Sequence, residues 1–309
     1  MKILLTGGAG YIGTTLLPML LKRKYEVTVV DSLLYGGTQL LPFFSDKNFQ
    51  FVKGDIRDKS LMKKLCKTPD VIIHLAAIVG FPACRENPDL AITTNVDGTK
   101  NIADAISKKQ LVLFGSTGSN YGKLEDEVCT EETPLNPQSL YGKTKTEAEQ
   151  YLRDHSTCIP YRFATAYGLS PRLRLDLLIN ELVYLGAKQK YLVVYEADFL
   201  RSFIHVSDMA RSFLFAIDNF EKMKNEVYNI GSEKLNYTKR QVAEIIKQDT
   251  GAYVHYADYD NDVEKRNYHV SYEKVRGVGF KTKVSIEDGI RELIRGMELV
   301  KISNPFINS

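Results

Sequence analysis

The chain has 309 residues, 44% of them hydrophobic, and a net charge of +3; it is long enough for a full core and two lobes, and without a Lys/Arg block it carries no footprint for nucleic acid or an anionic membrane. The longest apolar run, residues 71–81, is interrupted by His74 and is too short to span a bilayer. Cys66, Cys84, Cys129 and Cys158 have neither metal-ligand spacing nor a disulfide framework, and the first strand starts at once with no signal peptide, so a metal-free protein of the reducing cytoplasm is expected.

Residues 2–6 form a short apolar run of strand character, followed at once by Gly7-Gly8-Ala9-Gly10-Tyr11-Ile12-Gly13. Two spacings of a dinucleotide-binding fingerprint can be read there, on Gly7, Gly10 and Gly13 or on Gly8, Gly10 and Gly13. Ile12, Leu16, Leu17 and Leu20 recur at helical spacing, which predicts a helix over 11–23. Strand, glycine turn and helix let the backbone of Gly7, Gly10, Tyr11, Ile12 and Gly13 approach a pyrophosphate at a helix N-terminus. A second strand, 26–31, ends in Asp31, which can accept hydrogen bonds from a ribose diol. Ser32, Leu33 and Leu34 supply no cation for a 2′-phosphate, so the expected cofactor is NAD rather than NADP.

Further strands are expected near 49–52, 71–75, 110–115 and 157–163, with helices near 58–66, 88–107 and 139–154. This alternation predicts an α/β fold, a Rossmann-type doubly wound parallel sheet with a ligand crevice at the strands' carboxyl ends. Gly7 to Gly13, Ala76-Ala77 and Ser116-Thr117 all follow strands and should line that crevice. After Gly168 the alternation breaks up, and 171–186, 236–250 and 285–299 read as helices. The expected division is a NAD-binding domain over 1–167, with a return segment near 203–230, and a smaller α+β substrate lobe over 168–309. The acidic stretch from Glu125 to Glu132 reads as a solvated loop.

Tyr141 and Lys145 stand four residues apart on the predicted 139–154 helix and share a face. A nearby ammonium favours the phenolate, and a phenolate can take a proton from a substrate hydroxyl. Arg172, Arg174, Arg201 and Arg266 fit a diphosphate, because guanidinium matches phosphate oxygens bidentately. Asn180, on the following helix, is a further candidate for the substrate's phosphate or base.

The chain resembles the extended short-chain dehydrogenase/reductases, in particular the NAD-dependent sugar-nucleotide epimerases and dehydratases. The likeness rests on Thr6 to Gly13, Asp55-Ile56-Arg57-Asp58, Val71 to Ala77, Asn95-Val96-Asp97-Gly98-Thr99, Phe114 to Gly122, Arg201 to Ala210 and Tyr228-Asn229-Ile230-Gly231, in that order. It implies that Asp55 and Ile56 face the adenine, that Leu75, Ala76 and Ala77 form a cofactor loop, and that Asn95 serves the cofactor too. It places the catalytic hydroxyl on Thr117, within a segment whose Ser116 and Ser119 face the sugar, with Tyr141 removing a hydroxyl proton and Lys145 holding the nicotinamide ribose. It also implies a nucleoside-diphosphate sugar as substrate and a homodimer through the helices at 95–107 and 141–155.

The residues beside Thr117 separate the reactions of this group. Its 4,6-dehydratases carry an Asp-Glu pair there and its decarboxylases a Glu, whereas this chain has Gly118 and Ser119. Epimerisation and simple oxidation at one carbon, C4 by resemblance, both remain, with 4,6-dehydration or a non-catalytic NAD-binding regulator as alternatives. A narrower likeness, to bacterial GDP-heptose 4-dehydrogenases of surface-polysaccharide synthesis, rests on Ala76 to Cys84, Arg162 to Thr165, Ser170 to Leu178 and Lys265 to Ser271. It adds Val79 and Thr165 to the expected substrate contacts.

Overall fold

The computed structural model describes residues 1–123, 128–257 and 269–300. Seven strands form its main sheet: β1 (Lys2–Thr6), β2 (Glu26–Asp31), β3 (Phe49–Lys53), β4 (Val71–His74), β5 (Leu111–Thr117), β7 (Thr157–Phe163) and β11 (Tyr228–Ile230). Their order is β11-β7-β5-β4-β1-β2-β3, every neighbouring pair parallel. Leu4, Leu5, Val29, Val30, Ile72, Ile73, Val112 and Leu113 are all buried, as a parallel sheet covered on both faces requires. Helices Tyr11–Lys22 and Val206–Asp218 pack on one face through Leu16, Leu17, Leu20 and Phe213. The other face is covered through Met62, Ile102, Ala148 and Leu152. The strand order reverses between β1 and β4, and a doubly wound sheet opens its ligand crevice at that point.

The remaining strands are β6 (Val128–Cys129), β8 (Thr165–Tyr167), β9 (Tyr191–Tyr195), β10 (Leu200–His205), β12 (Asn236–Thr238), β13 (Tyr253–Ala257) and β14 (His269–Val270). They form three small sheets, β12-β10-β8, β13-β9 and β14-β6. A second core of Ile179, Val183, Leu192, Phe203, Ile246, Ile290 and Leu293 lies among the helices Leu178–Lys188, Lys239–Thr250 and Ile286–Met297. The helix at Val206–Asp218 and strand β11 carry the chain back onto the main sheet.

The structure departs from the expected elements in three places. The helix expected from 171 starts at Leu178, because Asp176 binds the Arg174 guanidinium at 2.5 and 3.1 Å and Asn180 binds the Arg174 carbonyl at 2.8 Å. Such local side-chain bonds compete with the first helical turn. The helix expected from 236 starts at Lys239, since residues 236–238 pair with β10 and Thr238 closes a capping box with Gln241. The helix expected over 88–107 is α-helical at Pro88–Ile92 and Gly98–Ala105, with a π-turn at Thr93–Asp97 between them.

Candidate active site

A cavity of about 630 Å³ runs along the carboxyl ends of β1, β4 and β5 and reaches the second lobe. It collects Gly7, Gly10, Tyr11, Ile12, Gly13, Asp31, Asp55, Ile56, Leu75, Ala76 and Ala77 at one end. Ser116, Thr117, Ser119, Tyr141 and Lys145 line its middle, and Val79, Thr165, Arg172, Arg174 and Arg201 line the other side.

The first end is shaped for a dinucleotide. Gly7 adopts φ +69°, and a Cβ there would fall 2.6 Å from the Ala76 nitrogen, so the glycine turn and the loop after β4 close on each other. The Asp31 carboxylate accepts from the Ala9 and Leu33 N–H groups at 3.0 and 2.8 Å. Burial raises its pKa while those two bonds oppose the shift. The Asp55 carboxylate is taken by Arg57 at 2.6 and 2.9 Å, which holds its pKa below the usual carboxylate range. Arg57 also lines the cavity, but its guanidinium is bound to that carboxylate, consistent with a ribose lacking a 2′-phosphate. Tyr11 shows its backbone to the turn, and its phenol donates to the Gly168 carbonyl at 2.8 Å, tying the glycine helix to the second lobe.

Beneath the cofactor loop lies a chain of buried hydrogen bonds. Thr99 Oγ1 donates to the Asn95 carbonyl at 2.6 Å, so it accepts from His74 Nε2 at 2.9 Å. His74 Nδ1 therefore accepts from Thr6 Oγ1 at 2.7 Å, and Thr6 Oγ1 also accepts from the Ala76 N–H. Burial first, and the charge of Lys145 second, push the His74 pKa down to about 3, so this imidazole is a neutral strut.

At the middle, Thr117 Oγ1 accepts from the Ser119 N–H at 3.1 Å. Ser139 caps the helix Leu140–His155, which presents Tyr141 and Lys145 to the cavity. Lys145 is almost wholly buried, with Nζ 3.9 Å from the centre of the Phe114 ring. Burial pulls its pKa down to about 7, against the opposing charge of Glu149. One turn further on, Glu149 receives Ser116 Oγ at 2.5 Å, Asn120 Nδ2 at 3.0 Å and Arg162 Nη2 at 2.6 Å. Arg162 in turn donates to the Tyr121 hydroxyl, which donates to Asn229. This network underlies the Ser116–Ser119 shelf.

Several sequence expectations are corrected here. Asn95 does not face the cavity; the π-turn aims it at the loop behind, where it binds both the N–H and the carbonyl of Ile78 and the Thr144 hydroxyl. Asn180 is fully buried and lies outside the cavity lining, where it binds Gly168 and the Arg174 carbonyl and shapes the Arg172–Asp176 loop. Ser116 lines the cavity, but its hydroxyl points away to Glu149. Glu131, from the stretch read as a solvated loop, binds the Asn229 N–H and packs under the site. Arg266 lies outside the described residues.

The sequence reading also passed over residues that the structure brings in. Tyr35, in the loop after Asp31, stacks 4.7 Å from the Arg172 guanidinium, and Asp176 and Lys239 line the same cavity. Glu149 had a readable signal: it lies two turns from Tyr141, on the face that Tyr141 and Lys145 define. Tyr35 had none, because its partner comes from another part of the chain.

Comparison with known proteins places this geometry. The chain is 29% identical over 309 residues to a Methanocaldococcus jannaschii protein assigned as a UDP-glucose 4-epimerase, covering 96% of this chain and 98% of that one. It is 32% identical over 298 residues to the UDP-N-acetyl-alpha-D-glucosaminuronate decarboxylase of Bacillus cytotoxicus, covering 90% and 86%. The dTDP-glucose 4,6-dehydratase DesIV of Streptomyces venezuelae, solved with NAD bound, superposes with a TM-score of 0.86 at 28% identity, covering 97% of each chain. These three relatives bear the names of three different reactions. With residues 3–231 matched by the family's own model, the chain belongs to the NAD dependent epimerase/dehydratase family.

Proposed function

We propose that this protein is an NAD-dependent oxidoreductase of nucleoside-diphosphate sugars that oxidises a ring hydroxyl, at C4, as an epimerase or a 4-dehydrogenase of surface-polysaccharide synthesis. The observation that carries the proposal is the convergence of Thr117, Tyr141 and Lys145 on one cavity with the Gly7–Gly13 turn and Asp31. The turn and the Asp31 carboxylate fit a dinucleotide with an unmodified ribose. NAD bound there supplies the hydride acceptor. Thr117 hydrogen-bonds the sugar oxygen, Tyr141 takes its proton, and Lys145 holds the ribose beside them and favours the phenolate. Arg172, Arg174 and Arg201 line the side where the diphosphate would lie.

The same cavity argues against dehydration and decarboxylation. Gly118 and Ser119 follow Thr117, where the family's dehydratases and decarboxylases carry carboxylates, and the Asp176 carboxylate on the cavity wall is bound to the Arg174 guanidinium. Cys84 is no substitute: it is buried, its thiol donates to the Ile78 carbonyl, and burial pushes its pKa up to about 11. The Arg172–Leu178 loop, which carries part of the likeness to GDP-heptose 4-dehydrogenases, lies on the cavity wall, and a GDP-heptose substrate is the narrower part of the proposal. A cytoplasmic homodimer through the helices Gly98–Ala105 and Leu140–His155 completes the proposal; no helix among the described residues is long and apolar enough to cross a membrane. The nucleotide-sugar lobe is assigned to 168–309, with 203–230 returned to the NAD-binding domain.

Incubation with UDP-, GDP-, CDP- and dTDP-sugars, following NADH absorbance and product stereochemistry, tests the reading. An epimer without net NADH identifies an epimerase and a keto-sugar a dehydrogenase. A product that has lost water contradicts the proposal.

A further inference from the structure

Behind the Thr117 shelf lies a second, much smaller space that the reaction does not use. It is a hollow of about 30 Å³ bounded by the carboxyl end of β7, the start of β10 and Gly118. Phe163, Ala164, Thr165 and Arg201 line both this hollow and the main cavity, so the two adjoin. Its volume accommodates about two water-sized groups.

The walls are polar. Tyr121, Arg162, Arg201, Ser202, Asn229 and Tyr272 contribute to them. The Ser202 and Tyr272 hydroxyls bond each other, the Tyr121 hydroxyl bridges Arg162 and Asn229, and the Arg162 charge is matched by Glu149. Glu131 lies just behind, on the Asn229 N–H. The Arg162 guanidinium is thus accompanied by a carboxylate, and beside Arg201 the hollow offers hydroxyl and amide partners. Gly118 matters here as well. A Cβ at that position would stand 3.3 Å from the Phe163 carbonyl, a tight contact at the rim of the hollow that glycine avoids.

Taking the reading proposed above as its basis, we infer that this hollow is the subsite for a hydroxyl-bearing exocyclic arm of the sugar, carried on the ring carbon next to the one oxidised. Gly118, the residue after Thr117, lines the hollow, so a ring hydroxyl held at Thr117 and Tyr141 would leave the neighbouring carbon's substituent on the side of the cavity where the hollow adjoins it. An arm ending in a hydroxyl replaces the water that the polar walls would otherwise hold. A methyl arm strips that water and returns no hydrogen bond, and sites built to bond a hydroxyl reject the analogue that lacks it.

The test uses the NAD-loaded protein and matched nucleotide sugars sharing nucleotide and ring stereochemistry, with UDP, GDP, CDP and dTDP in turn: a hexose, its 6-deoxy counterpart and its uronate, with a GDP-heptose as the control for turnover. Product is followed by chromatography, so that epimerase and dehydrogenase outcomes are both counted. The hexose is expected to exceed the 6-deoxy sugar in kcat/KM by about tenfold or more. Ser202→Ala and, separately, Tyr272→Phe should lower the hexose value severalfold, leave the 6-deoxy value unchanged and so compress the ratio. Equal kcat/KM for hexose and 6-deoxy sugar, a uronate preferred over both, or a ratio that neither variant moves would overturn the assignment. Conversion of no nucleotide sugar at all would instead refute the underlying reading of the site.

Discussion

The Lys145 ammonium nitrogen stands 3.9 Å from the centre of the Phe114 ring, on the floor of the cavity that Tyr141 lines. A cation over an aromatic face keeps part of the attraction that it loses on leaving water. The remainder of that loss appears as the pKa near 7. Lys145 thus sits where a neutral-pH enzyme can use its charge, and where the fold is strained to keep it.

That cost gives a first prediction. The folded pKa lies below the ordinary lysine value, so between about pH 7 and 10.5 the unfolded chain binds a proton that the folded chain does not. The burial penalty is fully present below about pH 7 and disappears as pH rises towards 10.5. Lys145→Met should therefore raise the melting temperature of the cofactor-free protein at acidic pH, with a gain that shrinks on going alkaline, while abolishing turnover. Thermal melts across that range check the sign.

His74 acts in the same sense, in a lower pH window. Its folded pKa of about 3 lies below its unfolded value of 6.5, so its contribution to stability is present above pH 6.5 and is lost as pH falls towards 3. The wild-type urea midpoint should drop across this window. His74→Gln, which carries no titrating ring, should show a shallower fall and a lower midpoint at neutral pH.

Glu149 and Arg162 form a buried ion pair, and removing one partner strands the other's charge. Glu149→Ala should cost about 3–5 kcal/mol in denaturant unfolding. Glu149→Gln with Arg162→Met should cost less than the two single changes added together. The coupling is expected because both side chains serve one network with Ser116, Asn120 and Tyr121.

Tyr35 and Arg172 join the loop after Asp31 to the loop before the Leu178 helix, and both line the cavity. An exposed to partly buried cation–π contact is worth about 0.5–2 kcal/mol. Tyr35→Ala should therefore speed NAD release by about 2- to 30-fold in stopped-flow displacement, with little change in melting temperature.

Most of the fold was legible because its signals are local. The strand, glycine turn and helix at the start, and the buried Val/Ile/Leu runs, each need only their own neighbours. Tyr141 and Lys145 were legible for the same reason, as a spacing on one helix. The misreadings concern side chains whose partners are distant. Asn95 and Asn180 carry amides that bind a ligand or a backbone equally well, and only the folded chain decides between Ile78, Gly168 and a cofactor. The 171–177 segment, expected as the start of a helix, has apolar residues at 173, 175 and 177 that alternate rather than recur at helical spacing, and the Arg174–Asp176 ion pair and the Asn180 bonds hold it as a loop on the cavity wall. The stacking of Tyr35 on Arg172 left no trace in either local sequence.

The account turns on Tyr141 as the group that takes the substrate proton. Tyr141→Phe removes one oxygen at the cavity wall and leaves the Gly7–Gly13 turn, Asp31 and Lys145 in place. The decisive measurement pairs NAD binding by calorimetry with turnover of a converted nucleotide sugar in this variant. NAD affinity should stay within a few-fold of wild type while kcat falls by about a hundredfold or more. Turnover at the wild-type rate would contradict the mechanism.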